Sequence, residues 1–266
     1  MKSLLLLMGL LFSFSILNAQ DEKIWDINDS LKTIPCYDLY CSWNNVSIHP
    51  YKNDFTKIED SINIKITNDS CDFSAPVVGK VNSQYGWRGS RPHYGLDIKI
   101  TYGDSIFSIF DGVVRIAKYS KSYGHVIVIR HNNGIETLYA HLTKRKLKVG
   151  DQVNSGDLVG LGGCTGRCSG AHLHLETRYL GEAFDPELIF DVSDSTFALR
   201  EENLILDKTD FVLQKKARSV RYYTVRRGDT LYAIARREGA SITKLCQIND
   251  ISRNSTLRIG QRLRVN

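Results

Sequence analysis

Val126-Ile127-Val128-Ile129-Arg130, His131-Asn132-Asn133-Gly134 and Glu136-Thr137-Leu138-Tyr139-Ala140-His141 follow one another with a single residue intervening. The two outer runs are rich in β-branched and aromatic side chains, which fit a pleated surface. Asn133-Gly134 joins them, and both residues tolerate the positive φ that a tight hairpin turn demands. The stretch therefore predicts two adjacent antiparallel strands. The same texture continues upstream through Ser105-Ile106-Phe107-Ser108-Ile109-Phe110, Asp111-Gly112 and Val113-Val114-Arg115-Ile116-Ala117. No helical periodicity of useful length interrupts residues 76–190, so the expected fold class is mainly β, an antiparallel β-sheet domain.

Downstream of the hairpin lies His172-Leu173-His174. Residues two apart on an extended strand project to one side, here about 7 Å apart along the chain. His93-Tyr94-Gly95-Leu96-Asp97 adds one nitrogen and one oxygen donor of matching parity. Zinc at a catalytic site takes three protein ligands and keeps a fourth position open. Three histidines and one carboxylate exceed that need by one group, and the spare group can carry a proton. The residues alone leave open which of His172 and His174 binds the metal. His125 and His131 belong to the strands around Val126 and are expected to pack or hydrogen-bond, and His49 to be structural or exposed. Glu176 shares parity with both strand histidines and either supports a ligand ring or forms a salt bridge on the sheet surface. Tyr85, Trp87 and Tyr139 either line a substrate groove or pack in the core.

The chain has 266 residues, of which 42% are apolar and 24% charged, enough for one or two domains with real cores. Lys2, the apolar run from Leu4 to Leu17 and the ending Leu17-Asn18-Ala19 read as a cleaved secretory signal over residues 1–19. The expected protein is thus exported, periplasmic or extracellular, with no integral membrane segment after signal removal. Export makes Cys36, Cys41, Cys71, Cys164, Cys168 and Cys246 disulfide candidates first. Cys164 and Cys168 flank a short turn and can pair locally; Cys36 with Cys41, or either with Cys71, is a further option. A structural zinc held by Cys164, Cys168, His172 and His174 is a rival that leaves His93 and Asp97 without a task. Residues 20–75 read as an N-terminal extension packing on the main domain, or as a segment lying over its cleft. Residues 191–221 are polar and read as a linker. Residues 222–266 form a small βααβ unit, with Asp229 or Thr230 capping the first helix. From Lys215 onward thirteen Lys and Arg face three Asp and Glu, so the tail is strongly basic within a chain of net charge +6. In an exported protein that charge favours anionic wall polymers over nucleic acid.

Four motifs occur in order: Tyr85-Gly86-Trp87-Arg88, His93-Tyr94-Gly95-Leu96-Asp97, Leu138-Tyr139-Ala140-His141-Leu142 and Gly170-Ala171-His172-Leu173-His174-Leu175-Glu176. Residues 76–190 resemble the lysostaphin/LytM-type zinc endopeptidases, which cut peptide bridges of bacterial cell walls. Residues 223–265, with Tyr223-Thr224-Val225, Gly228-Asp229-Thr230-Leu231 and Ile259-Gly260-Gln261, resemble a LysM domain, a binder of N-acetylglucosamine-containing glycan. The first resemblance implies one Zn2+ held by His93, Asp97 and His174, with His172 and His141 in the acid–base and transition-state roles. It implies a secreted endopeptidase acting on cross-links or stem peptides of peptidoglycan, anchored to the glycan by its LysM unit. Ala171 stands where that family often has proline, and two cysteines occupy the preceding turn. A different class of function is a non-catalytic wall-binding activator of other hydrolases; a third is a zinc peptidase of Gly-rich proteins.

Overall fold

The computed structural model describes residues 34–266 apart from Lys52, Asp69, Ser70 and Asp194; the side chains of Gln214, Lys215 and Arg218 are not described, and the secretory signal expected at residues 1–19 lies outside the described residues. The main sheet is antiparallel throughout. Its strands are β1 (Val81–Ser83), β2 (Leu96–Lys99), β3 (Gly112–Ser120), β4 (Gly124–His131), β5 (Ile135–Leu142), β6 (Gln152–Val153) and β7 (His172–Tyr179), in spatial order β6-β3-β4-β5-β7-β2-β1. A short β8 (Glu182–Phe184) folds back onto β7. The expected hairpin is β4–β5, with Arg130 opposite Glu136 and Gly134 at φ 86°.

Val126 to Ile129 is continuously apolar because both faces of the sheet are covered. Ile127, Ile129, Tyr139 and Leu142 join the main core, together with Ile106 and Val159 from a three-stranded sheet of Lys144–Arg145, Leu158–Leu161 and Ser105–Phe107. On the other face Val126, Val128, Leu138 and Ala140 form a second cluster, against which Ile48 and Tyr123 pack.

Residues 42–51 are strapped onto the sheet by charge. A register shift between Val114 and Ile116 places Arg115 at a bulge, a device that re-aims a side chain. Arg115, Arg130 and Glu136 are each completely buried. The Glu136 carboxylate accepts from Nε (2.7 Å) and Nη2 (2.9 Å) of Arg115 and from Nε of Arg130 (3.0 Å). The remaining guanidinium hydrogens point outward: Arg115 donates to the carbonyls of Asn44, Ser47 and Ile48, and Arg130 to the Ser42 carbonyl and the Tyr51 hydroxyl. Arg130 also stacks 3.6 Å above the Tyr40 ring.

The polar stretch expected as a linker carries structure. Asn203–Leu206 pairs with Ile62–Lys65, burying Leu204 and Leu206 and exposing Asn203 and Ile205, the alternation of a strand. Buried Phe211 then leads into helix α1 (Val212–Ser219). Beyond it, Tyr222–Thr224 pairs with Arg262–Arg264 around helices α2 (Leu231–Arg237) and α3 (Ile242–Asn249). Thr230 caps α2 by accepting from Ala233 N, whereas Asp229 accepts from Arg226 N and the Tyr223 hydroxyl. This unit has its own small core of Val225, Leu231, Ile234, Leu245, Leu263 and Val265. No helix among the described residues is long and apolar enough to cross a membrane.

Candidate metal centre

His93 ends a hairpin made by Gly86–Arg88 and Arg91–His93; a two-residue turn then leads into β2. Gly95 in that turn is required by space: a Cβ there would lie 2.1 Å from the Leu175 carbonyl oxygen of β7. The turn can therefore close directly on the strand that bears the His-x-His pair. Across the β2–β7 ladder Asp97 stands opposite His174. His93 Nε2, Asp97 Oδ1 and His174 Nδ1 consequently meet, with separations of 3.0, 3.0 and 2.8 Å. All three side chains are buried, and they are a group able to share one metal ion.

Each imidazole is held from behind. His93 Nδ1 lies 2.7 Å from the Gln84 carbonyl and 2.6 Å from Arg88 Nη2; donation to the carbonyl leaves Nε2 with its lone pair toward the cluster. His174 Nε2 donates to Glu176 Oε1 at 3.0 Å, which leaves Nδ1 inward. Glu176 is completely buried and also accepts from the Tyr123 hydroxyl and from Arg178 Nε. It therefore supports a ligand ring and is not a surface ion-pair residue. Arg88 Nη2 binds Asp97 Oδ2, fixing the carboxylate with Oδ1 toward the imidazoles. Two nitrogens and one oxygen, each oriented by a second partner, suit zinc with an open fourth position.

Burial would raise the Asp97 carboxyl, but hydrogen bonds from His174 and His93 win and hold it well below the usual carboxylate range. Burial likewise opposes charge on His174, yet Asp97 and Glu176 hold it up at about 9. With a metal ion held there, Nδ1 would give up the proton that it otherwise shares with Asp97. Glu176→Gln should lower zinc affinity by roughly 10–100-fold, the range for losing such a supporting carboxylate. Competition against a chromophoric chelator measures this, and unchanged affinity would deny Glu176 that role.

His172 and His141 flank the cluster without joining it. His172 Nδ1 donates to the Gly170 carbonyl (2.7 Å), and its Nε2 lies 3.7 Å from Asp97 Oδ1. His141 Nδ1 donates to the Thr165 carbonyl (2.7 Å), and the two rings are 4.7 Å apart. Burial pushes His141 down to about 4, so it is neutral in ordinary conditions. His141 also has φ 60°, a conformation that costs a non-glycine residue about 1–2 kcal/mol and recurs at functional sites. Its backbone N–H is held by the Tyr123 carbonyl.

These residues line an open cleft of about 400 Å3, with Arg88, Tyr94, Tyr123 and Arg167 among its other walls. Of the aromatics singled out in the sequence none lines the cleft. Tyr139 is fully buried with its hydroxyl accepting from Ile109 N, Tyr85 donates to the Ala183 carbonyl, and Trp87 lies under Arg264. His131 is buried on Thr137, and His125 packs edge-on against Tyr119. His49 packs against Tyr123, with Nε2 3.0 Å from its hydroxyl. Cys164 and Cys168 are disulfide-bonded, so neither can supply a thiolate and the four-ligand cysteine–histidine zinc site is excluded. Cys36, Cys41 and Cys71 are free thiols, so the further pairings do not form.

A buried His/Asp/His cluster at the foot of a cleft, with two more histidines above it, has the make-up of a zinc metallopeptidase centre. Residues 91–186 match Peptidase family M23, and residues 223–266 match the LysM domain. Relatives include the DD-carboxypeptidase/endopeptidase Mpg of Neisseria meningitidis, 36% identical over 116 residues that cover 41% of this chain and 27% of that protein. The peptidoglycan DD-endopeptidase ShyC of Vibrio cholerae is 37% identical over 101 residues, 38% of this chain and 21% of that protein. The chain thus spans about a quarter of the length of these curated relatives. Among solved structures, the catalytic domain of lysostaphin from Staphylococcus simulans is 31% identical, covering 41% of this chain and 90% of that one, with a TM-score of 0.39.

Proposed function

We propose that this protein is an exported zinc endopeptidase that hydrolyses peptide cross-links of bacterial peptidoglycan. The observation that carries the reading is the pair His172 and His141: each gives its Nδ1 hydrogen to a backbone carbonyl, which leaves Nε2 bare, with His172 Nε2 3.7 Å from Asp97 Oδ1 and the His141 ring 5.9 Å from that of His174. His93, Asp97 and His174 would hold the zinc, which when bound supplies Lewis acidity, polarising a carbonyl and acidifying a water. A bare imidazole nitrogen accepts a proton. His172 takes the proton of the attacking water at Nε2 and passes it to the leaving amine, so the same nitrogen is base and then acid. His141, neutral and also an acceptor, orients that water. Names of relatives specify DD-endopeptidases, and the same bond class, a D,D cross-link, is the one assigned to this cleft. The LysM domain would hold the enzyme on glycan and raise its local substrate concentration.

The test is to incubate purified protein with insoluble peptidoglycan and follow new amine termini. Release that EDTA abolishes and zinc restores is expected, with mass spectrometry of the fragments naming the bond. No release from protein with zinc bound would instead mark a wall-binding activator.

A further inference from the structure

Beside the catalytic cleft lies a second concavity of about 490 Å3, lined by Arg91, Pro92, Arg167, Tyr222 and Arg262. Pro92 and Arg167 line both, so the two spaces are neighbours. Its walls come from three separate parts of the chain: the hairpin that delivers His93, the disulfide-closed loop before His172, and the LysM strand pair. Each wall is fastened. The Tyr222 hydroxyl donates to the Ser90 carbonyl at 2.9 Å, Arg264 stacks 4.5 Å from Trp87, and Arg167 N donates to the Ser122 carbonyl. The Arg262 guanidinium sits over the Tyr222 ring, 4.2 Å from its centroid.

Three arginines therefore converge on one space. None of them has a carboxylate partner among the described residues, although ion pairs occupy Arg88, Arg115, Arg130 and Arg178 nearby. Like charges gathered without a counter-ion repel, and the arrangement is relieved by an anion from outside. The guanidinium fork matches a carboxylate in two parallel hydrogen bonds. We propose that Arg91, Arg167 and Arg262 form a carboxylate subsite at the joint of the peptidase and LysM domains, which receives an anionic group of the peptide chain flanking the scissile bond. The inference deepens the endopeptidase reading and rests on it. It gives the LysM domain a task beyond tethering: one side of the substrate groove is built from its closing strand.

Phosphate shares this chemistry, so the experiment has separate arms. Full-length protein stripped of metal by dialysis is titrated calorimetrically with a cross-link peptide bearing a free side-chain carboxylate, with the same peptide amidated there, and with inorganic phosphate at equal ionic strength. The acid should bind roughly tenfold tighter than the amide, the factor expected of one charge-assisted contact. That difference should vanish in Arg262→Ala and equally in Arg91→Ala, which lie in different domains and are exposed enough to substitute without loss of fold. Equal affinities for acid and amide in the wild type would overturn the subsite, as would a difference that persists in both variants. Phosphate binding tighter than the acid peptide would overturn it in favour of a phosphate-bearing wall polymer. Turnover is scored separately on zinc-loaded protein. An acid–amide difference without turnover sinks the peptidase reading alone, and turnover without that difference sinks the subsite alone.

Discussion

His172→Ala should retain zinc and lose turnover by about 10²–10⁴-fold, the usual contribution of a general base, whereas His174→Ala should lose both metal and activity. The two residues sit on one strand face, but the structure treats them differently. His174 Nδ1 is within the donor cluster, and its other nitrogen is fixed by buried Glu176. Removing it leaves two ligands where a zinc site needs three, and strands a buried carboxylate without that donor. His172 is the more exposed of the pair and stands 3.7 Å from the nearest cluster oxygen, outside the group. Metal analysis of both purified variants, paired with amine release from peptidoglycan, separates these outcomes. Equal zinc content in the two variants would refute the division of roles, as would zinc loss from His172→Ala.

Much of this was legible in the sequence because strands and metal sites both impose short, regular spacing. A two-residue period puts His172 and His174 on one face, and the four-residue step from His93 to Asp97 spans a single turn into the next strand. The groups that orient these side chains were not legible. Three are main-chain carbonyls, at Gln84, Thr165 and Gly170, and a carbonyl exists at every position and so carries no signal. Tyr123 was missed for another reason: its contacts with His49 and Glu176 join residues 74 and 53 positions away. The stretch Asn203-Leu204-Ile205-Leu206 read as part of a linker because polar neighbours diluted a four-residue alternation whose partner, Ile62–Lys65, lies far upstream. Arg115, Arg130 and Glu136 show the sharpest limit. Charged residues on a strand ordinarily mark a solvated face, and only the arrival of residues 42–51 turns that face into an interior.

Glu136→Ala should accordingly be among the most damaging changes outside the metal centre, destabilising the protein by about 3–5 kcal/mol, the range for removing one partner of a buried ion network. The wild-type carboxylate is shared between two guanidiniums that are themselves fully buried. Without it both positive charges remain among carbonyl dipoles of the strap with no counter-charge, and neither can lose its proton to escape. Relief requires water to reach them, which means lifting residues 42–51 off the sheet. Urea unfolding should therefore show the loss in stability, and hydrogen exchange should show protection falling first at the backbone of residues 42–51. The consequence extends toward the zinc ligands, because His49 in this strap touches the Tyr123 hydroxyl that donates to Glu176. No residue of the strap lines the cleft, so its loosening should weaken zinc retention without exposing a masked site. A stability loss below about 1 kcal/mol, with exchange in the strap unchanged, would show that the two guanidiniums already reach water.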